Sequence, residues 1–229
     1  MLVKMDVNKN MSKKSNTYND ETVEKNSTPS APPLHCYTAT LEWMSTRVSA
    51  IQAGTEPECL WFLEHPPLYT LGTSGKALDI LPSATLPTFQ TGRGGQVTYH
   101  GPGQRIVYAM IDLRKREQDL RLYVATLEEW IIQALAHFEI KGERRPGRVG
   151  IWVEKKRKDH KIAALGVRVQ KWVTSHGFAL NVSPDLTAYQ HIVPCGLSQY
   201  GVTSLADLGV TVTMEEVDEV LIKTCPFNT

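Results

Sequence analysis

Residues 149–182 read VGIWVEKKRKDHKIAALGVRVQKWVTSHGFALNV. Val149–Val153, Lys161–Val169 and Trp172–Val182 are runs rich in β-branched and aromatic residues, bounded by glycine or charge, and are predicted strands. The short polar join Glu154–His160 turns the first two into a hairpin. Working outward, Cys59–Leu63 and Arg105–Leu113 have the same character and add two more strands. Leu41, Met44, Val48 and Ile51 recur at helical spacing and Gly54 follows as a stop. Leu120–Phe138 carries Leu120, Val124, Leu127, Ile131, Ala134, Leu135 and Phe138 on one stripe, a second helix. Thr213-Met214-Glu215-Glu216 has the form of a capping box ahead of Val217, Val220 and Leu221, which predicts a third. Strands outnumber helices, no internal repeat is present, and the joins are hairpin-like. The expected class is α+β, a mixed and mostly antiparallel sheet with packed helices, rather than a doubly wound parallel sheet.

The chain has 229 residues, enough for one domain with a substantial core. Residues 1–33 are polar, with Tyr18 their sole aromatic, and cannot bury enough apolar area to offset chain entropy; they are expected to be a disordered tail before one domain, 34–229. Twenty-five Lys and Arg against 24 Asp and Glu leave a net charge of +1, so no global field draws the chain to nucleic acid or membrane. No apolar stretch reaches the roughly 20 residues of a membrane span, and the amino terminus has no apolar signal core, so a cytoplasmic location is expected. Cys36, Cys59, Cys195 and Cys225 form no C-x-x-C pair, which argues against a structural zinc or a redox dithiol.

Three segments could carry chemistry. In Thr91-Gly92-Arg93-Gly94-Gly95-Gln96-Val97-Thr98-Tyr99-His100-Gly101-Pro102-Gly103-Gln104, glycines allow close backbone approach while Arg93 and His100 bring charge and a titratable ring. It is not a phosphate loop, because a strand follows where the nucleotide motifs require a helix. It reads equally as a Gly-rich hairpin whose histidine makes ordinary hydrogen bonds. Cys195 stands between Pro194 and Gly196, a placement that can expose sulfur, although burial is the commoner fate of a cysteine. Lys161 opens a strand of small residues and could poise a thiolate, or it could simply end the solvated run Lys155–Lys161.

Together the Arg93–Gln104 loop, Lys161–Gly166, His176-Gly177-Phe178-Ala179-Leu180-Asn181 and Val193-Pro194-Cys195-Gly196 closely resemble, in order, the octanoyltransferase family of lipoate biosynthesis. The resemblance covers roughly Tyr37 to Cys225 and includes Glu64-His65-Pro66-Pro67 and Gly201-Val202-Thr203-Ser204-Leu205. It implies a fold similar to the catalytic domain of biotin and lipoate protein ligases. It also implies transfer of an octanoyl group from octanoyl-acyl carrier protein to a lysine of lipoyl domains in 2-oxoacid dehydrogenase complexes or of the glycine cleavage H protein, without ATP or another cofactor. Carried over, the resemblance makes Cys195 the acyl-bearing nucleophile and Lys161 the group that lowers its pKa. Arg93, Gly94, Gly95, Gln96, Val97, Thr98, Tyr99 and His100, then Ala164, Leu165 and Gly166, then Gly177, Phe178 and Ala179, become substrate-binding segments. A thiol pKa lowered by about two units gains roughly 25-fold in thiolate but loses roughly 6- to 10-fold in nucleophilicity, so Lys161 is expected to matter mainly as a proton shuttle. An ATP-dependent lipoate or biotin ligase, a thioesterase and a non-enzymatic carrier-binding module are the competing expectations. Basic clusters at Arg114–Arg121, Arg144–Arg148 and Lys155–Lys161 are candidate docking surfaces for acidic partner domains.

Overall fold

The three runs of 149–182 form a meander at the heart of the larger sheet. The computed structural model describes residues 3–5, 34–193 and 200–227. In chain order its elements are β1 (Val3–Met5), α1 (Tyr37–Ala53), β2 (Cys59–Leu63), β3 (Leu68–Leu71), β4 (Thr88–Gln90), β5 (Val97–His100), β6 (Gln104–Met110), α2 (Leu120–Ala136), β7 (Glu143–Arg145), β8 (Arg148–Lys155), β9 (Lys158–Gln170), β10 (Val173–Asn181), β11 (Gly201–Val202) and α3 (Met214–Lys223). Two-residue loops join β8 to β9 and β9 to β10. Their residues, Lys156 and Arg157, then Lys171 and Trp172, all have positive φ, the backbone twist that matches two antiparallel strands.

The larger sheet runs β1-β2-β6-β10-β9-β8-β7, with β11 beside β9. Its pairs are antiparallel except β1 with β2 and β11 with β9, in agreement with the expected class. Side chains alternate between faces along a strand. Leu60, Phe62, Val107, Ala109, Phe178 and Leu180 therefore join one core with α2 and α3, while Cys59, Trp61, Leu63, Ile106, Tyr108 and Ala179 pack with Met44, Val48 and Ile51 of α1. Trp130 locks the first core: its Nε1–H donates to Leu221 O at 2.8 Å and its ring meets Phe178 edge-on at 5.2 Å. The smaller sheet, β4-β3-β5, has its own core of Tyr69, Leu71, Val97, Tyr99 and Tyr189.

Several expectations need adjustment. Val3–Met5, inside the stretch expected to be disordered, pairs with Cys59–Trp61; residues 6–33 lie outside those described. The strand expected over Arg105–Leu113 ends at Met110, and Asp112 caps a 3-10 turn at Leu113–Lys115 by accepting from Arg114 N–H. On α2 the buried stripe includes Tyr123 and Trp130, while Leu120 is 43% exposed. The α1 stop at Gly54, with φ 75, and the Thr213–Glu216 capping box are as expected.

Candidate active site

One register slip decides which way the strand lysine faces. Ile151 pairs with Ala163 but Trp152 pairs with Lys161, so β9 carries an extra residue against β8. Such a bulge re-aims side chains. Ile162 and Ala163, although successive, are both fully buried in the α2–α3 core. Lys161 thereby falls on the opposite face with Trp152, and its Nζ lies 4.8 Å from that ring's centroid. Gly150, at φ +119, makes room for the lysine stem: a Cβ there would sit 3.2 Å from Lys161 Cε. The Arg148 guanidinium stacks 4.9 Å from Trp152 and 4.2 Å from Tyr200, held by Asp159 Oδ2 at 2.8 Å. On the other side, Val202 pairs with Lys161 and Thr203 N–H donates to Lys161 O at 3.0 Å.

From Lys161 the same face continues over small residues. Gly177 pairs with Gly166 and Ala179 with Ala164, and all four line a cavity of about 480 Å³ that also takes in Lys161 and Tyr200. The Gly-rich loop touches the sheet where Gly94 N–H donates to Val167 O at 2.9 Å, and a Cβ on Gly166 would come within 2.8 Å of Gly94 O.

Arg93 gives this loop its shape. Its Nη2 donates to Thr70 O, Thr70 Oγ1 and Gln96 O at 2.8, 2.7 and 2.9 Å, and Nη1 donates to Gly94 O at 3.0 Å. Thr70 Oγ1 lies 3.3 Å from His100 Nε2, and His100 Nδ1 lies 2.7 Å from Gln104 Oε1. Gln104 Nε2 donates to Tyr99 O, Asn181 Oδ1 and Tyr189 OH, and Asn181 Nδ2 to Thr203 O. Since Gln104 Oε1 can only accept, His100 carries its proton on Nδ1 and takes the Thr70 hydroxyl proton at Nε2. Burial, with nearby His65 adding to it, pushes the His100 pKa down to about 3. His100 is thus an uncharged structural link between the loop and the strand beside Lys161.

At the far end of the cavity stand residues absent from the expected set: Tyr37, Tyr108 and His176, with His65 behind them. Tyr108, buried and therefore held well above the usual phenol range, keeps its proton and donates it to His65 Nε2 at 2.8 Å. His65 Nδ1 donates to His35 O at 2.7 Å, and burial lowers the His65 pKa to about 4. His176 interrupts strand alternation with φ 59. Its backbone N–H leaves the ladder for Met44 Sδ on α1, at 3.3 Å, and its ring meets Tyr108 edge-on at 5.7 Å. Burial first, then the Arg93 and Arg168 charges, hold it at about 3.

Of the expected site residues, Lys161, Ala164, Leu165, Gly166, Gly177, Phe178 and Ala179 line this cavity with Arg93–Thr98 and His100. Tyr99 instead faces the core of the smaller sheet against Tyr69 and Tyr189. Cys195 lies outside the described residues; the described chain resumes at Tyr200, on the cavity wall beside Lys161. Among the described residues no three His, Cys, Asp or Glu side chains group as metal ligands, and no helix is long and apolar enough to cross a membrane.

Residues 36–225 match the family model for the lipoyl protein ligase A/B catalytic domain. An octanoyltransferase of Paramagnetospirillum magneticum is 56% identical over 191 residues, covering 83% of this chain and 90% of the relative. One from Brucella melitensis is 54% identical over 202 residues, covering 84% and 76%. Among solved structures, a lipoate-protein ligase A bound with ATP superposes with TM-score 0.62 at 19% identity, covering 79% of this chain and 78% of its own. A bipartite lipoate protein ligase from Thermoplasma acidophilum gives 0.61 at 19%, covering 79% and 76%.

Proposed function

The chain belongs to the octanoyltransferases of the lipoyl protein ligase A/B catalytic-domain family, acyltransferases of lipoate biosynthesis, and from that membership we propose a route for the acyl group. The donor is octanoyl-acyl carrier protein, the acceptor is a lysine of a lipoyl domain, and Cys195 carries the chain between them as a thioester. The Cys195 thiolate attacks the donor carbonyl, the bond to the carrier's sulfur breaks, and the Lys161 ammonium protonates the departing thiolate. Neutral Lys161 then accepts a proton from the acceptor amine as that amine attacks octanoyl-Cys195. The amide forms, the thiolate leaves, and both groups return to their starting states. Thioester to thioester is nearly balanced and thioester to amide is downhill, so the cycle runs without a nucleotide.

One observation carries this reading: the bulge in β9 turns Lys161 out of the α2–α3 core and onto the wall of a groove lined by Ala164, Gly166, Gly177 and Ala179. A largely buried lysine on the wall of a groove lined by small residues is what a proton shuttle beside an acyl chain requires. Binding favours a chain that fills the groove, each buried methylene contributing about 0.8 kcal/mol. The hairpin tip Lys156-Arg157-Lys158 is exposed, whereas Lys155 is tied to Asp207 at 2.6 Å, so the tip is the proposed docking site for the acidic protein substrates. The test is mass spectrometry after incubation with octanoyl-acyl carrier protein in the absence of ATP. An octanoyl adduct is expected on Cys195 and lost in Cys195→Ala. A requirement for ATP would favour a ligase, free octanoate as main product a thioesterase, and either would overturn the proposal.

A further inference from the structure

Strand geometry puts a length on the groove. Lys161 and Gly166 lie five residues apart on β9, about 16 Å at ~3.3 Å per residue and slightly less across the bulge. At the Gly166 end three strands align, with Gly166 opposite Gly177 and Gly177 opposite Tyr108, so the Tyr108 ring rises from the groove there. The extended lysine side chain spans roughly 6 Å, and an extended eight-carbon acyl chain built of ~1.5 Å bonds spans about 9 Å. A chain with its carbonyl within reach of Lys161 Nζ therefore brings its methyl end to the Gly166–Gly177 crossing.

What stands at that crossing is a ring that strand alternation would have sent elsewhere. His176 is paired with Val167 and, by alternation, belongs on the α2–α3 face with Phe178 and Leu180. Its φ of 59 and the capture of its N–H by Met44 rotate the ring onto the other face, against Tyr108. Positive φ is uncommon for a residue with a Cβ, and such strain persists only where its surroundings impose it. At neutral pH both rings are uncharged, so they form a wall that an aliphatic methyl can touch without stripping water from an ion.

Resting on the function proposed above, we infer that His176, turned by its left-handed backbone against Tyr108, is the end wall of the acyl groove and the residue that sets the length of chain accepted. Chains of eight carbons end at the ring; longer ones must displace it or withdraw their carbonyl from Lys161.

The experiment presents octanoyl, decanoyl and dodecanoyl thioesters of acyl carrier protein, singly and in competition, to wild type, His176→Gly and His176→Asn. Acyl-enzyme mass and kcat/KM are read for each chain. Glycine suits the positive φ and removes the ring; asparagine tolerates that φ and shortens the side chain, so one variant remains informative if the other fails to fold. In His176→Gly the decanoyl-to-octanoyl ratio of kcat/KM is expected to rise about 15-fold, which corresponds to two further methylenes buried at ~0.8 kcal/mol each, with a smaller rise in His176→Asn. A wild type that forms the octanoyl adduct alongside folded variants with unchanged chain-length ratios overturns the end wall and leaves the transfer reaction standing. A wild type that forms no octanoyl adduct overturns both.

Discussion

Three buried imidazoles, His100 and His176 on one cavity and His65 behind it, make folding depend on pH in a way that can be worked out beforehand. The perturbation is acidification from about pH 7.5 to about pH 5. In the unfolded chain each histidine titrates near ~6.5, whereas the folded values of His65, His100 and His176 are about 4, 3 and 3. Over this interval the unfolded chain binds protons that the folded protein refuses, so stability present above pH ~6.5 is lost as pH falls. Each ring removes about 2 kcal/mol and the three together about 6 kcal/mol. His35, also lowered by burial, acts in the same direction. Asp218 opposes them: burial raises its pKa to about 6 despite Arg105 Nε at 2.7 Å. It takes up a proton only when folded and returns about 1 kcal/mol. The expected net loss is about 5 kcal/mol, comparable with the whole stability of a marginal domain. Urea unfolding followed by tryptophan fluorescence, with Trp61, Trp130 and Trp152 buried, reads it directly. For an m-value of ~2 kcal/mol/M the midpoint falls by roughly 2 to 3 M. His176→Asn should shrink the drop by about a third. A midpoint constant to within about 0.5 M, or an undiminished drop in the variant, would refute the reasoning.

Lys161→Met should slow single-turnover acyl transfer by about 10²-fold or more while the unfolding midpoint changes little; near-wild-type transfer would remove the proton shuttle. Gly177→Ala puts a Cβ 2.2 Å from Val107 O, a backbone atom that cannot step aside, so a stability loss of at least ~1–3 kcal/mol is expected in the same urea assay. Charge reversal at Lys156 and Arg157 together should raise the apparent KM for acyl carrier protein several-fold, with an effect that fades at high salt. An unchanged KM would move the docking surface elsewhere.

In the larger sheet β2, β6, β8, β9 and β10 were legible because they are apolar runs ended by glycine or charge, and the helices because their apolar stripes and caps are local signals. β3 and β4 were not. Leu68–Leu71 is four residues long and Thr88–Gln90 three, too short for periodicity to register, and they exist because Arg93 and the Gly-rich loop anchor them. Helical period alone points Leu120 inward, yet it is exposed at the start of α2 and lines the cavity. The motif residues of the site were readable as a resemblance, and all but Tyr99 of the described ones come to one cavity. His176 sat in full view, a histidine before glycine in an apolar strand, but the rule that strand neighbours alternate points its ring the wrong way. Only the sign of one dihedral reverses it, and nothing in composition or spacing reports that sign. The orientation of Lys161 was hidden for a related reason, since the extra residue in β9 is visible only once its partner on β8 is known.

That extra residue makes the orientation of Lys161 a matter of parity. Deleting Ile162 would restore regular alternation and leave the ammonium on its present side of the sheet opposite Trp152, at the cost of one buried core side chain, whereas deleting Ile162 and Ala163 together would turn it to the other side. Loss of one residue from this stretch is therefore expected to leave the enzyme working and loss of two to silence it.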